Sequence, residues 1–121
     1  MGVSSVFYHL TFKVFKDINI FIISYTGGEK KLSKEEKIVN FLKAIANSVR
    51  IEIIKQLMKG KKCVTEINKL CESSQPNISQ HLTILRLNNI VECRREGNFK
   101  CYLLKKPEEM KKLFEILTKI V

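Results

Sequence analysis

The spacing of apolar residues along this chain changes from helical to alternating near residue 90. Before that point, apolar side chains recur at i, i+4 and i+7, as in a helix that lies on a core: Ile78, Leu82 and Leu85. After it, residues 90–95 and 99–104 alternate on either side of Glu96-Gly97-Asn98, which predicts a β-hairpin with a three-residue loop. A chain that builds short helices and then one hairpin is restricted to small, mainly helical folds.

The first two predicted helices open at polar caps. Ser33 and Glu36 have the spacing of a capping box, which starts the first helix. Its apolar face comprises Ile38, Phe41, Leu42 and Ile45. Asn47 or Ser48 caps the second helix, and Gly60 ends it.

Three further helices complete the predicted set. A short third helix over residues 64–71 buries Ile67 and Leu70, and a fourth is capped by Ser74 and ends at Asn88-Asn89. A last helix follows the hairpin. Its inward-facing residues are Met110, Leu113, Phe114, Leu117 and Val121.

Two short helices joined by a tight polar turn and followed by a basic hairpin make a helix-turn-helix with a wing. We therefore predict a mainly α fold with a small β-hairpin wing, a winged helix-turn-helix of element order α-α-α-α-β-β-α. This DNA-binding domain, with its terminal dimerisation helices, is expected to span residues 32–121.

Residues 1–31 are predicted to be an N-terminal extension. Their apolar residues fit a strand and a helix alike, and the nearly uncharged run over residues 18–28 is too short to span a bilayer. The codons for Gly27-Gly28-Glu29 can spell a ribosome-binding site ahead of a start codon at Leu32. We therefore expect the native chain to begin at Leu32.

Charge favours a polyanionic partner. The formal net charge is +10 and the pI is about 9.6. The excess of Lys and Arg lies between Ser48 and Lys106, around the fourth helix and the hairpin, whereas the last helix is neutral. Nucleic acid is the polyanion that such a basic face most often binds.

The fourth helix carries short, uncharged, hydrogen-bonding side chains where Lys and Glu would serve a merely solvated face. The residues suited to base edges and phosphates at its N-terminal end are Ser74, Gln75, Asn77, Ser79 and Gln80. The cations suited to the DNA backbone or the minor groove are Arg86, Arg94, Arg95 and Lys100. The helix is therefore predicted to enter a major groove while the hairpin contacts the backbone.

Four segments of the chain resemble the ArsR/SmtB-type winged-helix repressors of prokaryotes: residues 41–57, 63–67, 74–86 and 90–104. The resemblance implies a cytoplasmic homodimer, formed through the first and last helices, that represses its own operon at an imperfect palindrome. It implies release from the operator when an effector binds. It also adds His81 to the DNA contacts, as a DNA-contacting or packing residue.

The metal sites of this family are incomplete here. One family site uses a Cys-Val-Cys-Asp run at the third helix, where this chain has Cys63-Val64-Thr65-Glu66. A hydroxyl replaces one thiolate and binds thiophilic ions poorly, which leaves Cys63 as a candidate ligand without a partner. The other family site needs histidine on the last helix, which has none. A thiophilic metal or metalloid stays open as the effector, and no bound cofactor is predicted.

A pair of cysteines offers another effector chemistry. If Gly97 centres the hairpin loop, Cys93 and Cys101 lie opposite each other. They are then either two small apolar residues on the inner face or a thiol switch that cross-links the wing on oxidation.

Two other classes of protein are alternatives to a DNA-binding regulator. A winged helix also serves as a protein- or RNA-interaction module without operator specificity, and the polar face of the fourth helix argues against that reading. An enzyme is not predicted, because the chain has no Ser-His-Asp set, no Gly-rich phosphate loop and no CxxC motif. The absence of CxxC and zinc-ribbon spacings among its four cysteines fits a reducing cytoplasm.

Overall fold

The computed structural model describes residues 31–71 and 75–121. Residues 1–30 of the predicted extension and the predicted cap Ser74 lie outside this part of the chain, so both predictions stand untested. The helices and strands are α1 (Lys34–Ile45), α2 (Ser48–Met58), β1 (Lys62–Cys63), α3 (Val64–Leu70), α4 (Gln75–Leu87), β2 (Val91–Glu96), β3 (Phe99–Leu104) and α5 (Pro107–Ile120). These elements confirm the predicted winged helix-turn-helix. The chain divides into one unit that ends at Ile45 and another that comprises residues 46–121.

Helix α1, in the first unit, begins at the predicted capping box. The hydroxyl of Ser33 accepts from the backbone N–H of Glu36 at 3.1 Å, and the carboxylate of Glu36 accepts from the N–H of Ser33 at 2.8 Å. Two backbone donors that the helix leaves free are thereby satisfied. Of the predicted apolar face, Ile45 is buried, whereas Ile38 and Leu42 are about half exposed.

Helix α2 settles the choice between two predicted caps. Oδ1 of Asn47 accepts from the N–H groups of Val49 and Arg50 at 2.9 and 3.2 Å, so Asn47 is the cap. The helix ends at Met58, and Gly60 then adopts φ +136°, which L side chains rarely tolerate. The predicted stop at this glycine is confirmed.

Helix α4 ends in a turn that delivers the chain directly into the sheet. Asn89 has φ +60°; its N–H donates to the carbonyl of Arg86, and the N–H of Ile90 donates to the carbonyl of Leu85. These two bonds form the Schellman motif, with asparagine in the left-handed position. The predicted helix end at Asn88-Asn89 is confirmed, and β2 begins two residues after Asn89.

The hairpin register differs from the prediction by one residue. Glu96 pairs with Phe99, which leaves a two-residue loop, Gly97-Asn98, instead of three residues. Gly97 has φ +64° at the first loop position, where two-residue hairpins of type II′ place glycine. The predicted three-residue loop was therefore wrong, and every cross-strand pair in the hairpin changes with it.

A third strand was not predicted. β1 contains two residues and pairs antiparallel with β3, with Lys62 opposite Tyr102 and Cys63 opposite Cys101. The strand order is β1-β3-β2. Because β1 leads directly into α3, it attaches the wing to the start of the helix-turn-helix.

The core of the second unit lies between α2, α3, α4 and the sheet. Its buried apolar residues are Ile53, Ile54, Leu57, Ile67, Ile78, Leu82, Ile84, Leu85, Ile90, Val91, Cys101, Tyr102, Leu104 and Met110. Two predictions of burial were wrong: Leu70 is about half exposed, and α5 buries Met110 but exposes Leu117 and Val121. Periodicity finds an apolar stripe without showing whether this chain or another molecule covers it.

Candidate nucleic-acid interface

Helix α4 has one face in the core and another directed outward. Ile78, Leu82 and Leu85 are fully buried, as their spacing predicted. On the remaining surface Ser79 is exposed, and Asn77 and Gln80 are half-buried. The predicted base-reading residue Gln75 begins the helix. An anchored helix that presents short polar groups is the arrangement that major-groove recognition requires.

His81 faces the interior. Its side chain is 7% exposed, and Nη1 of the 2% exposed Arg50 lies 3.0 Å from Nδ1 of the imidazole. Arginine carries only donors, so Nδ1 is the acceptor and the imidazole is neutral. Burial, and then the positive charge of Arg50, lower the pKa of His81 below its ordinary value. Of the two predicted roles of His81, this geometry supports packing.

The cations of the wing are exposed. Arg95 pairs with Lys100 across the hairpin, and Arg94 pairs with Cys101. Nη2 of Arg94 also lies 2.9 Å from the carboxylate of Glu92, and both partners are solvent-accessible. Such a pair contributes little to folding, so these cations stay available to an anion.

A cleft of about 550 Å³ separates the C-terminal half of α4 from the wing. The predicted cations Arg86 and Lys100 line it, together with Lys105 and Tyr102, which the sequence reasoning missed. Lys100 and Tyr102 share one face of β3 because they are two residues apart. Nζ of Lys105 lies 3.2 Å from Oδ1 of Asn89, at the end of α4. The cleft therefore brings together Arg86 of α4 and Lys100 of the wing, two of the four cations predicted to contact DNA, whereas Arg94 and Arg95 are not among its lining residues.

Tyr102 is a largely buried residue in the lining of this cleft. Its ring is 8% exposed, and burial, with an added contribution from Cys93 beside it, raises the pKa of its hydroxyl to about 12. The phenol is therefore neutral at physiological pH and adds no negative charge to the cleft.

The predicted pairing of Cys93 with Cys101 was wrong. Cys93 pairs with Tyr102, and Cys101 forms a disulfide with Cys63 across the β1–β3 ladder. The one-residue register shift places Cys93 and Cys101 on opposite faces of the sheet. While its sulfur is bridged, Cys63 is not available to a metal ion, and the described residues contain no group of three or more side chains able to hold one.

Comparison with known proteins identifies the family of this chain. The profile of bacterial regulatory proteins of the arsR family matches residues 47–92. The chain is 36% identical over 84 residues to the transcriptional activator HlyU of Vibrio cholerae, covering 69% of this chain and 77% of HlyU. The protein belongs to the ArsR family. An uncharacterized HTH-type transcriptional regulator of Methanocaldococcus jannaschii is 36% identical over 74 residues, covering 60% of this chain and 83% of that regulator.

Solved structures of ArsR-family proteins have the same fold. Reduced HlyU superimposes with a TM-score of 0.61 at 34% identity, covering 69% of this chain and 90% of HlyU. The transcriptional repressor BigR of Xylella fastidiosa gives 0.60 at 30% identity, covering 69% of this chain and 88% of BigR. The ArsR-family chain described here is accordingly a DNA-binding transcriptional regulator and not an enzyme. Among its described helices, none is long and apolar enough to cross a membrane.

Proposed function

We propose that this ArsR-family protein is a dimeric repressor that binds an operator in double-stranded DNA and leaves it when an effector acts. The observation that carries the proposal is the cleft between α4 and the wing, which Arg86, Lys100 and Lys105 line together. Cations at this place contact phosphates, while the helix reaches base edges. A protein that binds DNA in this way acts in the cytoplasm, where a prokaryotic chromosome lies.

Base recognition is assigned to the outward residues of α4. Asn77 and Gln80 have amides that can pair with adenine in bidentate fashion, and the hydroxyl of Ser79 serves several bases or a phosphate. We extend the assignment to Gln75, the first residue of the helix, and to Ser74, which precedes it in the sequence. Arg86, Arg94, Arg95 and Lys100 supply affinity that depends on salt and only weakly on sequence.

Dimerisation is supported by apolar surface that the single chain leaves open. α5 exposes Ile116, Leu117 and Ile120, and Ile120 is 73% exposed. α1 exposes a row of its own, Ile38, Val39 and Leu42. Contiguous apolar side chains on a helix are generally covered by a partner. A second copy of the chain is the partner proposed here, since two identical subunits match the two half-sites of a palindrome.

Repression is proposed by analogy with BigR, which is named a repressor. HlyU is named an activator, so activation of transcription is the alternative that the experiment must also test. The effector is proposed to be a metal or metalloid ion or a thiol oxidant.

The decisive experiment is fluorescence anisotropy of the full chain on its own upstream DNA and on a scrambled duplex of equal length, followed by addition of arsenite, Zn²⁺ or glutathione disulfide. We expect selective binding to the upstream DNA, and a reporter gene placed behind that DNA should be repressed by the protein. Equal binding to both duplexes that disappears with salt would contradict the proposal and favour a protein- or RNA-interaction module.

A further inference from the structure

We infer that Cys63 and Cys101 form a thiol–disulfide exchange site for low-molecular-weight disulfides, and that its bridged form binds DNA more tightly than its dithiol form. The inference rests on the proposed function, because it names the chemistry that regulates the same DNA-binding face. The two cysteines lie 38 residues apart in sequence and opposite each other in the β1–β3 ladder. Their Cα atoms are 3.8 Å apart and their sulfurs are bridged.

The two sulfurs differ in accessibility. Cys63 is half-buried, whereas Cys101 is 0% exposed. A disulfide reagent therefore reaches Cys63 first, and Cys101 meets only the product of that first step. A carboxylate is placed for the second step, since Oε2 of Glu96 lies 3.8 Å from Sγ of Cys101. Glu96 is held there by an ion pair with Lys61, just before β1.

The exchange balances in two steps when the oxidant is a small disulfide, RS–SR. The thiolate of Cys63 attacks one reagent sulfur; a Cys63–SR bond forms, the reagent S–S bond breaks, and RS⁻ leaves. Cys101 then loses its proton to Glu96 and attacks Sγ of Cys63, which expels the second RS⁻. Both thiolates that leave become RSH on protonation. Two cysteine thiols are oxidised to one disulfide, and RS–SR is reduced to two RSH.

The bridge joins the two parts of the protein that face DNA. Cys63 immediately precedes α3, the first helix of the helix-turn-helix, and Cys101 lies beside Lys100 and opposite Arg94 in the wing. In the dithiol form, only the two-residue ladder of β1 attaches the wing at this edge of the sheet. Closing the bridge holds wing and helix-turn-helix in one relative position before DNA arrives. The protein then loses less conformational freedom when DNA binds, so the Kd for DNA is lower.

The other two cysteines serve as internal controls. Cys93 lies on the opposite face of the sheet from Cys101, because it pairs with Tyr102 while Arg94 pairs with Cys101. Cys71 follows α3 and is a free thiol, and burial raises its pKa, with an added contribution from Glu52. A thiol whose pKa is raised is ionised to a smaller extent and exchanges more slowly.

The test compares dithiol and bridged forms of the full chain. Protein reduced with dithiothreitol and desalted is divided, and one half is treated with glutathione disulfide. Free thiols are counted with Ellman's reagent and intact mass is recorded, and both halves are titrated onto upstream and scrambled DNA at one salt concentration. We expect the thiol count to fall from four to two per chain without retained glutathione. The Kd of the bridged form on upstream DNA should be at least threefold lower.

Matched variants assign the effect to the pair. Cys63→Ser and Cys101→Ser should keep the affinity of the dithiol form whether or not glutathione disulfide is added, whereas Cys71→Ser and Cys93→Ser should respond as the wild type does. A bridged form that binds less than threefold tighter, a thiol count that stays at four, or a response that survives Cys63→Ser would overturn the inference. If neither form distinguishes upstream from scrambled DNA, the proposed function fails together with the DNA half of the inference. The thiol count and the mass still decide the exchange site.

Discussion

Nη1 of Arg50 lies 3.0 Å from Nδ1 of His81, so that a buried guanidinium on α2 is hydrogen-bonded to a buried imidazole on the helix assigned to base recognition. This hydrogen bond joins α2 to α4. It requires a neutral imidazole, because a protonated ring would place a second positive charge against Arg50 and lose its acceptor. This contact between α2 and α4 is thus linked to the protonation of one residue.

The free energy of unfolding is predicted to fall as the pH drops below about 6.5, the ordinary pKa of histidine. The folded pKa of His81 is lowered, so below that pH the unfolded chain binds more protons than the folded chain. The stabilisation is complete above the unfolded pKa and is lost as the pH falls toward the folded one. Urea unfolding of the wild type and of His81→Gln between pH 8 and pH 5 measures it. The variant should lose less stability over this range, and parallel curves would contradict the prediction.

Substitutions of a base-contacting residue and of a phosphate-contacting residue are predicted to change DNA affinity in different ways. Gln80→Ala should weaken binding to upstream DNA by ~1–3 kcal/mol and leave scrambled DNA almost unaffected, since a base contact is lost. Lys100→Ala should weaken binding to both duplexes and reduce the slope of log K against log salt by about 1. Anisotropy over a range of salt concentrations measures both effects, with Lys112→Ala on α5 as the control for charge. If Gln80→Ala weakened both duplexes equally, its assignment to base recognition would be wrong.

The Cys63–Cys101 bridge is predicted to stabilise the folded chain by ~3–4 kcal/mol, because it closes a loop between residues 38 apart in sequence. Thermal unfolding with and without dithiothreitol should show a lower Tm for the reduced form. Cys93→Ser should retain this difference and Cys101→Ser should abolish it. A wild-type Tm that does not respond to the reductant would exclude the bridge.

Glu96→Gln is predicted to slow bridge formation severalfold without changing the final thiol count. The carboxylate next to Cys101 accepts its proton, and an amide cannot. Stopped samples alkylated at intervals after addition of glutathione disulfide give the rate. Glu92→Gln is the matched control, because that carboxylate is on the same hairpin and pairs with Arg94. Equal rates for the two variants would remove Glu96 from the exchange step.

Ile120→Lys is predicted to dissociate the dimer and to weaken operator binding at least tenfold. A charge replaces one of the most exposed apolar side chains of α5, and burying it against a second copy would be costly. Sedimentation velocity at several protein concentrations measures the dissociation, with Glu115→Lys as a control that adds charge without removing apolar surface. A wild-type chain that sediments as a monomer would contradict the proposed dimer.

Much of the fold could be predicted because its signals are local. Ser33 with Glu36, Asn47, and Asn89 satisfy backbone groups within a few residues of themselves, so sequence alone locates these helix ends. The buried stripe of α4 and the basic wing are also periodic or compositional signals. Together they were sufficient to predict a winged helix-turn-helix, and they carry the proposal for its DNA-binding face.

The sequence by itself determined the order of the five helices and the hairpin, the polar residues of α4 and the excess positive charge around them. Only the tertiary structure decided which residues lie opposite each other in the sheet. Alternation in a strand does not distinguish two registers that differ by one residue, so it predicted Cys93 opposite Cys101 where the ladder places Tyr102 opposite Cys93. The two-residue β1 has no period at all, and the Cys63–Cys101 pair exists because the fold brings distant segments together. Neither periodicity nor spacing contains that information, since the energy of such contacts depends on three-dimensional proximity.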